Sequence, residues 1–153
     1  GNLTAEELTV RASVDFGTLL MNGFRDGVWI ESNVLTPAEI ASLEFGILQA
    51  ARLRVTRTEY ISCPGCGRTM FNLQSTLAAV KSATTSLRGL KIGVMGCIVN
   101  GPGEMADADY GYVGAGAGRI SLYRGKECVE KNIPENEAVE HLVNLIKADG
   151  KWK

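Results

Sequence analysis

Two features of the sequence predict an α/β (α+β) protein, a small mixed sheet with helices on one face. Helical periodicity alternates with short apolar strands, and two cysteine-bearing turns each end a strand. A third feature, a shift in composition near residue 57, divides the chain into an N-terminal segment, 1–57, and a cysteine-bearing domain, 58–153. A length of 153 residues has room for one ordinary domain, or for a small domain and a fragment.

In the first segment, Thr4 with Glu7 makes a capping box ahead of one or two helices over 4–24. Leu8, Val10, Val14, Leu19, Leu20 and Phe24 form their apolar face. Asp26-Gly27 is a turn, and Val28-Trp29-Ile30 reads as a short buried strand. Thr36 as N-cap, Pro37 at the first helical position and Glu39 in the first turn then open a second helix. Its stripe is Ile40, Leu43, Ile47, Leu48 and Ala51. One strand cannot form a sheet alone, so this segment reads as the tail of a larger domain.

The second part begins with a strand over 58–62 that delivers the chain to Cys63. A helix follows through about Lys81, with Phe71, Leu73, Leu77 and Val80 apolar. Leu90 to Met95 is a strand ending at Gly96-Cys97, and 98–118 reads as glycine-rich loop. Arg119 to Tyr123 and Glu127 to Lys131 alternate across Arg124-Gly125 as a hairpin. Pro134 opens a last helix with Ala138, Leu142, Leu145 and Ile146 inward, closed by Gly150.

Composition narrows the function. A formal net charge of −1 without a run of Lys and Arg gives no reason to expect nucleic acid or an anionic membrane as partner. No apolar run approaches the roughly 20 residues that cross a bilayer, and the first residues lack the pattern of a signal peptide. His141, the single histidine, leaves most zinc hydrolase sites and a Ser-His-Asp triad without material. Nothing marks the chain as secreted, so its four cysteines point to a metal or redox site rather than to disulfides. Of the 18 glycines, ten cluster between Gly89 and Gly125, as backbone packed tightly around something would require.

Cys63-Pro64-Gly65-Cys66 is a Cys-x-x-Cys turn between a strand and a helix, and alone it supports three readings. A thioredoxin-like pair fits this placement, a zinc site would want a second such pair, and an iron–sulfur cluster would want cysteines on other loops. Cys97 favours the cluster, because two cysteine turns at strand ends meet when their strands are neighbours. The polar loop Asn100-Gly101-Pro102-Gly103-Glu104 beside it argues against Cys97 as a buried small hydrophobe. Cys128, on an alternating strand without glycine or proline around it, reads as structural. Glu104 lies a short loop from Cys97, and the residues leave it evenly balanced between a ligand and a solvated carboxylate. As a ligand, its oxygen would be a harder and more exchangeable donor to iron than thiolate.

The runs Tyr60-Ile61-Ser62-Cys63-Pro64-Gly65-Cys66-Gly67-Arg68-Thr69 and Met95 through Gly114 closely resemble the 4-hydroxy-3-methylbut-2-enyl diphosphate synthase family of the non-mevalonate isoprenoid pathway. The resemblance covers 58–153 and implies a 4Fe–4S cluster on Cys63, Cys66, Cys97 and Glu104, with Asn100 beside it orienting the glutamate or substrate. It implies a cluster domain like that of sulfite and nitrite reductases. Gly23 through Glu31 resembles the end of the TIM-like middle domain in the family's long, three-domain form. It further implies an oxidoreductase that reductively opens and dehydroxylates 2-C-methyl-D-erythritol 2,4-cyclodiphosphate, with ferredoxin or flavodoxin as electron donor. The full-length protein is expected to be a homodimer, cytoplasmic in bacteria or plastid in plants. The diphosphate would be gripped by a TIM barrel that 153 residues cannot contain, so this part alone is expected to be inactive. A non-catalytic electron-transfer or zinc module, and a thiol–disulfide oxidoreductase using Cys63 and Cys66, are the alternatives.

Overall fold

The computed structural model describes residues 3–152, which divide between Thr56 and Arg57 into two compact units. In the first unit, α1 (Ala5–Met21) and α2 (Pro37–Ala50) both start from capping boxes. Glu7 N–H donates to Thr4 Oγ1 at 3.2 Å while Thr4 N–H donates back to Glu7 Oε2 at 2.8 Å. Thr36 N–H donates to Glu39 Oε2, also at 2.8 Å. Each box satisfies amides that the helix itself leaves orphaned, and those amides hold both carboxyls below their ordinary range.

The inward stripe of α1 differs from the expected one. Leu8, Ala12, Phe16 and Leu20, four residues apart, pack with Ile40, Leu43 and Ile47 of α2. Val10, Val14, Leu19 and Phe24 are exposed instead. The expected strand at Val28-Trp29-Ile30 does not form. Ile30 is buried, its N–H donating to Glu44 Oε1 at 2.8 Å, but Trp29 is 76% exposed. An apolar triplet needs a partner strand, and this unit has none among its described residues.

The second unit is built on a five-stranded mixed sheet in the order β1-β2-β3-β4-β5. The strands are β1 (Glu59–Ser62), β2 (Lys91–Met95), β3 (Tyr110–Gly116), β4 (Arg119–Arg124) and β5 (Glu127–Pro134). β1, β2 and β3 run parallel, and β4 and β5 continue antiparallel. Two long helices, α3 (Leu73–Thr84) and α5 (Glu135–Ala148), bury Val80, Leu142 and Ile146 against Ile92, Val94, Tyr112 and Leu122 on one face. On the other face Met95, Met105, Ala108, Val113 and Tyr123 form a smaller cluster, which Cys63 and Cys128 join.

The stretch 98–118 is not all loop. It holds a single helical turn, α4 (Gly101–Glu104), and the central strand β3. Glycine usually weakens strands, but here it is what lets the strand pack. A Cβ on Gly111 would collide with Sδ and Cε of Met105, and one on Gly114 with the carbonyl oxygen of Gly96. β5 also runs on to Pro134 rather than stopping at Lys131.

The carboxylate of Asp149, at the end of α5, ties that helix to the sheet. Arg124 Nη2 donates to its Oδ1 at 2.7 Å, Arg124 Nε to its Oδ2 at 2.8 Å, and Tyr110 Oη to the same Oδ2 at 2.9 Å. Chiefly because of the Arg124 bond, the Asp149 carboxyl titrates below its ordinary range. A folded value below the unfolded one means the tie is in full force above the usual carboxylate range and is lost as pH falls through the folded value. Asp149→Asn is therefore expected to lower the urea midpoint at pH 7. The gap to the wild type should narrow as pH approaches about 3, below the unfolded aspartate value. A gap that stays constant with pH would refute the tie.

Candidate metal centre

Cys63 and Cys97 sit just beyond the carboxyl ends of β1 and β2, which are hydrogen-bonded neighbours in the sheet. Neighbouring parallel strands open a crevice at these ends, and both loops enter it. The resulting cavity of about 170 Å³ is lined by Cys63, Cys66, Thr69, Cys97, Asn100 and Glu104 among others. Every residue expected at the site thus lines one cavity, and Cys128 does not. Cys66 and Glu104 are exposed, and Cys63 and Cys97 are half-buried.

Local backbone sets these positions. Gly65 has φ +81°, a left-handed conformation that the Cys-x-x-Cys turn takes at little cost only with glycine. Thr69 N–H closes the following turn onto Cys66 O at 2.9 Å. On the other loop, Gly101 N–H donates to Cys97 O at 3.2 Å and Glu104 N–H to Asn100 O at 2.9 Å. One helical turn therefore fixes Glu104 relative to Cys97, as the sequence spacing alone could not. Asn100 acts there through its backbone carbonyl, since its side chain makes no capping bond.

Two amides point at sulfur. Gly96 N–H donates to Cys63 Sγ at 3.3 Å, and Arg68 N–H to Cys66 Sγ at 3.5 Å. Such bonds recur around sulfur-ligated metal centres. All four cysteines are free thiols. Among the described residues no three His, Cys, Asp or Glu side chains converge tightly enough to hold one metal ion. A cluster, whose ligands each take a different iron, asks for wider spacing. Three thiols, one carboxylate and amides on two of the sulfurs fit such a group.

Sequence reasoning missed two participants, Thr69 and Gly96. A Cβ on Gly96 would lie 2.7 Å from Thr69 Oγ1 and 2.8 Å from its Cγ2, so the two turns touch where glycine leaves room. Thr69, three residues after Cys66, is the turn position from which a hydroxyl can reach back to the cysteine amide, and that spacing was the available signal.

Fold and cavity together define an α+β domain that gathers thiols and a carboxylate at the ends of parallel strands. More narrowly, the chain belongs to the GcpE protein C-terminal domain family, whose model matches residues 59–148. Among curated proteins it is similar to the 4-hydroxy-3-methylbut-2-en-1-yl diphosphate synthase (flavodoxin) of Bacteroides fragilis strain YCH46, 65% identical over 98% of this chain. The proteins of the same name from Chlorobaculum tepidum and Protochlamydia amoebophila are 59% and 55% identical over 94% and 96% of the chain. The chain spans 24%, 19% and 22% of the lengths of these three relatives.

Proposed function

We propose that this chain is the cluster-bearing C-terminal part of a 4-hydroxy-3-methylbut-2-en-1-yl diphosphate synthase. In this reading Cys63, Cys66, Cys97 and Glu104 hold a 4Fe–4S cluster. The observation that carries it is the single cavity lined by all four residues, with backbone amides already donating to two of the sulfurs. The cluster would supply electrons one at a time to a reductive ring opening and dehydroxylation. The relatives' names support flavodoxin as the source of those electrons.

The chain's own residues divide the work. The three cysteines, two of them half-buried, anchor the group from the strand ends. Glu104, exposed on its one-turn helix, would present the oxygen donor at the open side of the cavity, where substrate would enter. The Asn100 carbonyl fixes that turn. Residues 1–57 would be the end of the preceding, TIM-like middle domain, and the substrate's diphosphate would be held by a barrel outside this chain. In this reading the full-length enzyme is cytoplasmic and homodimeric; the bacterial relatives support the first of these.

Glu104→Ala tests the assignment most specifically. The variant is expected to keep its brown colour and its thiolate-held irons after anaerobic reconstitution, while the Mössbauer signature of one iron changes. A spectrum identical to the wild type would remove Glu104 from the ligand set. The wild-type chain alone is expected to show no turnover of the cyclodiphosphate, and robust activity would refute the need for the barrel.

A further inference from the structure

Thr69 belongs to no ligand set, yet it connects both cysteine turns. Its Oγ1 accepts from Cys66 N–H at 3.0 Å, and its own N–H donates to Cys66 O at 2.9 Å. The next amide, that of Met70, donates to Gly96 O at 3.1 Å. The Thr69 side chain fills the space that Gly96 leaves open, and Gly96 N–H is the amide that donates to Cys63 Sγ. One side chain thus touches the backbone of both turns and lies one bond away from two of the three cysteines.

A hydroxyl has one proton to give as well as lone pairs to accept with. The Thr69 oxygen uses a lone pair on Cys66 N–H, and its proton has no acceptor among the described residues. The residue lines the cavity that would hold the cluster. Resting on the cluster reading above, we propose that Thr69 is a positioning residue with a second task. It latches the Cys63–Cys66 turn onto the Cys97 turn, and it donates its O–H to a sulfur of the bound cluster. A hydrogen bond to sulfur stabilises the more negative, reduced state, so the cluster's reduction potential is held higher than the cysteines alone would set it.

Thr69→Val keeps the shape against Gly96 and removes the hydroxyl, and Thr69→Ser keeps the hydroxyl. Both are to be reconstituted anaerobically beside the wild-type chain, with iron quantified and the potential read by an EPR-monitored redox titration. The expected result is a more negative potential for Thr69→Val and a wild-type potential for Thr69→Ser. A Val variant at the wild-type potential, or Val and Ser variants shifted alike, would overturn the proposal. Where Thr69→Val holds no iron, a Ser variant with wild-type iron and potential supports the latch, and a Ser variant equally empty overturns it. A wild-type chain that takes up no cluster defeats the underlying reading, whereas an intact wild-type cluster unmoved by Thr69→Val defeats this proposal alone.

Discussion

Cys97→Ala is expected to leave a folded chain that no longer holds its cluster. Cys97 is the one cysteine supplied by the second turn, and with it gone Cys63 and Cys66 remain on a single loop. Even residues that only support a ligand cost about 10- to 100-fold in metal affinity when replaced, so a lost ligand should cost at least the upper figure. The fold should survive, because the side chain is half-buried and outside both core clusters of this unit. Iron and sulfide after anaerobic reconstitution, with circular dichroism for the fold, make the measurement. The result also separates the alternatives, since a thiol–disulfide oxidoreductase using Cys63 and Cys66 would keep its activity in this variant. Full iron content in Cys97→Ala would contradict the ligand set.

Gly114→Ala should give the largest loss of stability, about 3 kcal/mol, at the upper end of what overpacking a core usually costs. The added Cβ would run into the Gly96 carbonyl oxygen, with the carbonyl carbon at 3.0 Å and Phe71 Cε1 at 3.1 Å. That carbonyl is backbone, held by Met70 N–H at 3.1 Å, and cannot swing aside as a side-chain end can. Gly111 illustrates the contrast, because its intended clash is with the flexible tip of Met105. Gly96 is also the residue whose amide reaches Cys63 Sγ, so Gly114→Ala is expected to weaken cluster retention together with stability. Gly103→Ala, where a Cβ meets nothing within 4 Å, serves as the control and should change the urea midpoint by less than about 0.5 kcal/mol equivalent. Equal behaviour of the two variants would refute the packing argument.

The second prediction turns on glycine, and glycine is where the sequence was hardest to read. The helices declared themselves through Thr4 with Glu7 and Thr36 with Glu39, local signals that the folded chain uses as expected. β1 and β2 were legible from short apolar runs ending in cysteine. β3 was not, because Gly111, Gly114 and Gly116 look like loop until Met105 and the Gly96 carbonyl are brought against them. In α1 the apolar residues Val10 and Val14 outweighed Ala12 to the eye, yet the small residue is the one buried against α2.

The candidate site divides along similar lines. Cys63, Cys66 and Cys97 could be picked out by spacing and by their place at strand ends. Glu104 rested on resemblance, because nothing in its neighbours reveals that Gly101–Glu104 winds into one helical turn beside Cys97. Only half of Thr69's role was legible: its spacing from Cys66 is local, but its packing depends on a contact across 27 residues, with a glycine that has no side chain to signal it.

The Mössbauer spectrum of the wild-type chain, with iron and sulfide counted after anaerobic reconstitution, tests the central claim most directly. The account predicts about four irons and four sulfides per chain, with one iron distinct from three thiolate-held ones. One bound zinc, no inorganic sulfide, or four spectroscopically equivalent irons would contradict it.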